Sequence, residues 1–277
     1  MVWALFAQRL QPDPKYLGDF QVSKNIDKLA KIVFDAQINA TAISQLSETE
    51  SFTLEEAYRV QAKSIDMRLA AGEHRVGMKM GFTSRAKMVQ MGVDDMIWGR
   101  LTNSMLVEDG GEIDISNYVH PRVEPEIAYL LKAPLSGPLS TVEAWNAVEA
   151  IAPAMEIIDS RYENFKFTVE DVVADNSSSS GFIIGPWCKP NSDIANLGMV
   201  MEFDGRAVQI GSSAAILGHP ARSLAAASRM TAEDGETLEA GWIVLAGGAT
   251  AAEALYEGVS VRNTVEGLGS CSFGVAK

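Results

Sequence analysis

The stretch His120-Pro-Arg-Val-Glu-Pro-Glu-Ile-Ala-Tyr-Leu-Leu131 decides how this chain is read. Val123, Ile127, Ala128 and the closing Tyr129-Leu130-Leu131 have the apolar and aromatic character of a buried or half-buried β-strand. Side chains alternate faces along a strand, so Glu124 and Glu126 project side by side from one face. Two carboxylates at that separation repel, and burying them unpaired is costly. Such a pair either faces water from an edge strand or shares a cation. A hard divalent ion such as Mg²⁺ or Mn²⁺ takes carboxylate oxygens and keeps positions open for water or substrate.

A third acid shifts the balance toward the cation. In Ile151-Ala-Pro-Ala-Met-Glu156-Ile-Ile158, Glu156 is the only charge in an apolar run that reads as a central strand. Buried acids rarely lack a partner. Glu156 either joins the first two around an octahedral ion or pairs with an Arg or Lys.

Composition sets the frame. A chain of 277 residues holds one large domain, or a main domain with a smaller appendage. With 47% hydrophobic and 21% charged residues, it buries a substantial core. A formal net charge of −13 argues against a nucleic-acid partner, and any anionic substrate needs local positive charge. Cys188 and Cys271 offer neither metal spacing nor a disulfide framework, which favours free thiols and a cytoplasmic location. No apolar run reaches membrane-spanning length, so no membrane association is expected. The opening Met1–Ala7 is too short for a signal-peptide core and lacks a basic flank.

Three segments are expected: an extended arm over 1–22, a helical region over 23–75, and a β-rich catalytic body over 76–277. Ile26, Leu29, Ala30, Ile32, Val33 and Ala36 predict a helix within 25–44. Thr53 with Glu56 makes a capping box for a second helix ending at Gly72. Ser140 with Glu143 predicts a helix running to about Ala150. Asp109-Gly110 and Asp204-Gly205 read as hairpin turns. Trp242–Ala246, Val259–Val261 and Ser270–Val275 read as strands. Helices ahead of a mainly β body make the class α+β.

Other pieces carry weaker signals. Lys79 sits between Gly77 and Gly81 among apolar neighbours; a lysine withdrawn from water gives up its proton more readily, although this one also fits a solvated loop. The Asp175–Gly181 loop presents hydroxyls or is simply a turn. Ala246-Gly-Gly-Ala-Thr250 offers backbone N–H groups of the kind that cradle carboxylates, or is a glycine-rich turn. His74, His120 and His219 are scattered and suggest no nucleophilic triad.

In order, Lys79-Met-Gly-Phe-Thr83, Pro121-Arg-Val-Glu-Pro-Glu-Ile-Ala128, Glu156-Ile-Ile-Asp-Ser-Arg161, Ala174-Asp-Asn-Ser-Ser-Ser179 and Gly247-Gly-Ala-Thr250 resemble the hydratase/decarboxylase family of aromatic meta-cleavage pathways. That family lies within the fumarylacetoacetate-hydrolase-like superfamily, and the five blocks span most of the chain. The resemblance implies a mixed β-sandwich or roll core behind N-terminal helices, with Mg²⁺ or Mn²⁺ held by Glu124, Glu126 and Glu156. It implies catalysis by Lys79 and Ser178, and substrate contacts from Thr83, Ile97, Arg100, Gly248 and Thr250. It also implies a homo-oligomer, and association with the pathway hydratase.

Within the family, hydratases carry Pro-Asp-Phe-Gly after the lysine motif. Here the stretch is Met96-Ile97-Trp98-Gly99, so Ile97 replaces the acid. Gly99-Arg100-Leu-Thr102 and Asp159-Ser-Arg-Tyr-Glu-Asn-Phe165 are similar to the decarboxylase branch. The implied substrate is a 2-oxo dicarboxylic acid, 2-oxo-3-hexenedioate (4-oxalocrotonate), giving 2-hydroxy-2,4-pentadienoate and CO₂. Ile97 and Trp98 are expected to form an apolar wall around the departing carboxylate. Arg100 either recognises that carboxylate or pairs with an acid elsewhere. The alternatives are a 2-hydroxypenta-2,4-dienoate hydratase, a largely structural partner of that hydratase, and an acylpyruvate hydrolase, which normally needs a His–Glu pair.

Overall fold

The computed structural model describes residues 14–85, 88–89, 92–190 and 193–277, with side chains from residue 25 onward. Helix α1 (Pro14–Ile38) buries Ile26, Leu29, Ala30, Val33 and Ala36, the three-and-four spacing of one helical face. It starts within the stretch expected to be an extended arm; a proline is admissible in a first turn, whose N–H groups have no intrahelical acceptor. Residues 1–13 of that expected arm lie outside the described residues. Helix α2 (Leu54–Ala70) has the expected capping box at Thr53 and Glu56 and stops at Gly72, whose φ of 106° suits a residue without Cβ.

The body that follows contains β1 (Arg75–Gly81), β2 (Ile97–Thr102), β3 (Leu106–Val107), β4 (Glu112–Ile113) and β5 (Arg122–Leu131). Helix α3 (Thr141–Asn146), β6 (Val148–Ile158), α4 (Val169–Ala174) and β7 (Ser179–Ile184) come next. The chain continues through β8 (Gly198–Phe203), β9 (Arg206–Ser212), α5 (Pro220–Glu233), β10 (Ile243–Leu245), β11 (Glu253–Ala254), β12 (Ser260–Val265) and β13 (Gly269–Val275). One sheet runs β2-β1-β10-β5-β6-β7-β3, with β11 along β5; the other runs β4-β13-β12-β8-β9. Helices ahead of a two-sheet body give the α+β arrangement expected.

Strand alternation divides the first sheet cleanly. One face carries Val123, Met155, Ile157 and Ile183 against Met201, Val261 and Phe273 of the second sheet. Farther along, Ile127, Tyr129, Met78, Met80 and Val244 pack against Leu224, Ala227 and Met230 of α5. The opposite face carries Ala128, Ala154, Phe182 and Leu245 beneath Ile65 of α2. Helices α1, α2 and α4 join this side, with Ile97 beneath them. The even-numbered residues of β5 and β6 therefore point toward the helical layer, and Glu124, Glu126 and Glu156 are among them.

Two expectations fail for reasons of pairing. The helix begun by the Ser140–Glu143 capping box ends at Asn146 rather than near Ala150, because the ladder between β5 and β6 reaches back to Val148 opposite Leu131. Asp109-Gly110 does not close a hairpin. The flanking β3 and β4 pair in parallel with β7 and β13, so this turn hands the chain from one sheet to the other. Asp204-Gly205 does join paired antiparallel strands, with both φ values positive. No helix among the described residues is long and apolar enough to cross a membrane.

Candidate active site

Glu124 and Glu156 stand directly opposite each other across the β5–β6 ladder, with Glu126 one same-face position along. One carboxylate oxygen from each of the three lies within 4.8 Å of the others. Glu126 and Glu156 are sealed, at 0% and 1% exposure, whereas Glu124 at 9% borders the cavity above them. Lys79 reaches across from β1 and ion-pairs with Glu156 at 3.1 Å.

Each carboxylate is held by backbone that sequence pattern favours. Glu126 Oε2 accepts a hydrogen bond from Gly247 N–H at 2.7 Å, so the glycine-rich turn does cradle a carboxylate, although the protein's own. A Cβ on Gly248 would fall 2.4 Å from Glu124 Oε2, which is why the neighbouring position is also glycine. A Cβ on Gly247 would strike Thr83, so Thr83 packs behind the turn.

The electrostatics of this cluster are unbalanced. Burial, then the charges of Glu156 and Glu124, pushes the Glu126 carboxyl well above the usual carboxylate range. Burial also raises Glu156; Lys79 opposes that rise and Glu124 adds to it. Glu126 Oε1 has no hydrogen-bond partner among the described residues. Buried like charges with an orphaned oxygen are what a hard divalent cation relieves, so the donor set fits Mg²⁺ or Mn²⁺.

Above the carboxylates opens a cavity of about 500 Å³. Lys79, Gly81, Phe82, Ile97, Ile158 and Val172 form part of its lining. Ser177 and Ser178 enter from the loop before β7, where Asn176, Ser177 and Ser178 all have positive φ. Three consecutive non-glycine residues in that region are strained. The loop is fixed at both ends. Arg161 binds Asp175 within the core, and Asn176 exchanges hydrogen bonds with the Arg100 backbone at 2.7 and 2.9 Å. Ser178 Oγ is buried without a hydrogen-bond partner among the described residues.

Several expected contacts fall elsewhere. Lys79 pairs with Gly99 and Gly81 with Ile97 in the β1–β2 ladder, which puts Lys79 and Ile97 on the site face. Trp98 and Arg100 consequently point to the other face. Trp98 stacks on Tyr58 and forms no part of the cavity wall. Arg100 is not placed to hold substrate. Its guanidinium is occupied by Glu236, Asp234 and Gln61 and lies 4.4 Å above the Trp98 ring. Thr250 donates to Ala251 O, and its methyl group faces Gly211; Ala251 and Ala252 line the cavity in its place.

Residues 68–276 match the fumarylacetoacetate hydrolase C-terminal family. The chain belongs to this family. A 4-oxalocrotonate decarboxylase of Pseudomonas sp is 58% identical over 248 residues, covering 90% of this chain and 97% of that protein. A 2-hydroxyhexa-2,4-dienoate hydratase of Comamonas testosteroni is 33% identical over 253 residues, covering 89% and 96%. Among solved structures, the 4-oxalocrotonate decarboxylase of Pseudomonas putida G7, complexed with magnesium and adipate, superposes with a TM-score of 0.89 at 40% identity. That match covers 91% of this chain and 98% of the other.

Four further lining residues, Arg122, Phe165, Lys166 and Phe167, were given no role at the site from the sequence of this family member. The last three sit on a short irregular turn with no periodic pattern. Arg122 had a signal: it lies two positions before Glu124 and shares its face.

Proposed function

We propose that this chain is a divalent-metal-dependent carboxy-lyase. It converts 2-oxo-3-hexenedioate to 2-hydroxy-2,4-pentadienoate and CO₂ in aromatic meta-cleavage catabolism. One observation carries the choice of reaction. Glu124 is the only acidic residue among the described residues lining the cavity, and no histidine lines it, so no further acid stands ready to activate a water. Ile97 occupies the wall where an acid would serve hydration. The similarity to decarboxylases at 58% identity, against 33% for the hydratase, supports the same reading.

Glu124, Glu126 and Glu156 would hold Mg²⁺ or Mn²⁺, whose chemistry when bound is Lewis-acid polarisation of a 2-keto oxygen. In the reaction the C5–C6 bond breaks and its electrons form the C4–C5 double bond. The C3–C4 π pair moves to C2–C3, the carbonyl π pair comes to rest on the keto oxygen, and C6 departs as CO₂. Lys79, oriented by Glu156, delivers a proton to that oxygen. Ser178 donates its free hydroxyl to the proximal carboxylate, and the backbone around Gly248 closes that end. Phe82, Ile97 and Val172 exclude water from the distal end, where a leaving carboxylate loses its charge.

The test is CO₂ release from 2-oxo-3-hexenedioate by the purified protein with Mg²⁺, and again after EDTA. Metal-dependent CO₂ release is expected. Absence of CO₂, together with consumption of supplied 2-hydroxypenta-2,4-dienoate, would make the protein a hydratase. The reading extends to a homo-oligomer, supported by the exposed Val208 and Ile210 on β9, at the edge of the second sheet. Light scattering checks this state, and co-elution with a hydratase checks whether the product passes to a bound partner.

A further inference from the structure

Arg122 is not used by the chemistry above, yet its position is specific. Along β5 and β6 the site face carries three successive rows: Glu126 opposite Ala154, Glu124 opposite Glu156, and Arg122 opposite Ile158. Exposure rises along these rows, from the sealed Glu126 through Glu124 to the half-buried Arg122. The wall is thus graded from carboxylates at the floor to a cation against an apolar side chain nearer solvent.

The partners of Arg122 set it apart. Every other buried or half-buried arginine among the described residues holds a carboxylate: Arg68 with Glu73, Arg75 and Arg100 with Glu236, Arg161 with Asp175, Arg229 with Asp95. Arg122 has no carboxylate partner among the described residues. Its guanidinium lies 4.5 Å over the Phe165 ring, and both residues line the cavity. The aromatic face holds the guanidinium plane and leaves its edge free to meet a carboxylate in the two-pronged geometry arginine favours.

We propose that Arg122 receives the far carboxylate of a linear dicarboxylate whose 2-oxo-acid end lies at the glutamate cluster, and so selects dicarboxylates over monocarboxylates. The proposal rests on the reading of the site given above. The dimensions agree. Two positions along a strand span about 7 Å. Five carbon–carbon bonds of about 1.5 Å in zigzag separate the ends of a six-carbon diacid by about 6 Å. Lys166 also borders the cavity, but it is exposed, and a solvated ammonium discriminates weakly. Because Arg122 holds the carboxylate about equally in ground state and transition state, it contributes to binding rather than to turnover.

The test compares binding of 2-oxoadipate and 2-oxohexanoate, which differ only in the far carboxylate, to the Mg²⁺-loaded protein by calorimetry. Arg122→Met is expected to weaken 2-oxoadipate about tenfold and 2-oxohexanoate less than about twofold, since a charge-assisted contact is lost from one ligand alone. Arg122→Lys should recover part of the preference and also serves if the methionine variant folds poorly. With 2-oxo-3-hexenedioate, KM should rise by a similar factor while kcat stays within about threefold. Equal weakening of both ligands, no change in either, or no preference in the unmodified protein overturns the proposal. The two readings fail separately. Absence of CO₂ release with a lost dicarboxylate preference in Arg122→Met sinks the reaction but keeps the residue's role; CO₂ release with unchanged 2-oxoadipate affinity sinks the role alone.

Discussion

Two clusters of buried charge lie on opposite faces of the same sheet, and they are built on opposite principles. On one face, Arg100 and Arg75 meet Glu236 and Asp234, two cations against two anions, with Gln61 taking a further donor of Arg100. On the other face, three carboxylates lie together, Lys79 ion-pairs with Glu156, and Glu126 Oε1 has no hydrogen-bond partner among the described residues. The first cluster balances its charges, although Arg75 Nε has no hydrogen-bond partner among the described residues, and it ties β2 to the chain around Glu236. The second keeps a buried carboxylate oxygen that a bound cation would meet. A satisfied network rigidifies, whereas an unsatisfied one marks where a ligand belongs.

The contrast can be broken most forcefully at Lys79. Lys79→Ala should lower turnover about 10²–10⁴-fold, the range for losing a positioned proton donor, while the protein still binds Mn²⁺ in a direct titration. Near-normal turnover would remove its catalytic role. Next comes the cluster itself. Glu156→Gln or Glu126→Gln should weaken Mn²⁺ binding about 10²–10³-fold, as expected when a charge partner worth about 3–4 kcal/mol is lost. Without metal, Glu126→Gln should melt no lower than the parent, because it relieves repulsion and strands no cation, whereas Glu156→Gln takes the ion-pair partner from Lys79 and should melt lower. Unchanged metal affinity would mean that the cation lies elsewhere.

On the balanced face the signs invert. Arg100→Met strands Glu236 and Asp234, and should cost about 3 kcal/mol of unfolding free energy. That is the low end for breaking a buried pair, because both acids keep 25% side-chain exposure. Denaturant titration measures the loss, and Mn²⁺ affinity should not change. A drop in metal affinity would show that the two faces are coupled.

How much of this was legible follows from how local each signal is. The side-by-side placement of Glu124 and Glu126 needs only the two-residue period of one strand, and the Thr53–Glu56 cap needs only one helical turn; both are found as read. Arg100 misled because its face depends on its register with β1. Opposite Met78, it turns away from Lys79, and nothing in its own neighbours reveals that pairing. The overrun of α3 and the false hairpin at Asp109-Gly110 have the same origin, since distant partner strands decided both outcomes. Arg122 is the reverse case: the period that placed the glutamates also placed the arginine on their face.

The smallest perturbation probes how finely the unbalanced cluster is held. Gly248→Ala puts a methyl group where Glu124 Oε2 now lies, 2.4 Å from the new carbon. The obstacle is the far end of a flexible side chain that borders an open cavity, so the carboxylate can swing aside and the fold should survive with its melting temperature little changed. Glu124 would then leave the position from which it reaches the other two carboxylates. Losing the alignment of one donor among three, rather than its charge, should weaken Mn²⁺ binding about tenfold, comparable to disturbing groups that orient a metal ligand. Glu126, held separately by Gly247 N–H, should stay in place. An affinity equal to that of the parent would show that Glu124 is held by its strand alone, and that the glycine is needed for the turn rather than for the ligand.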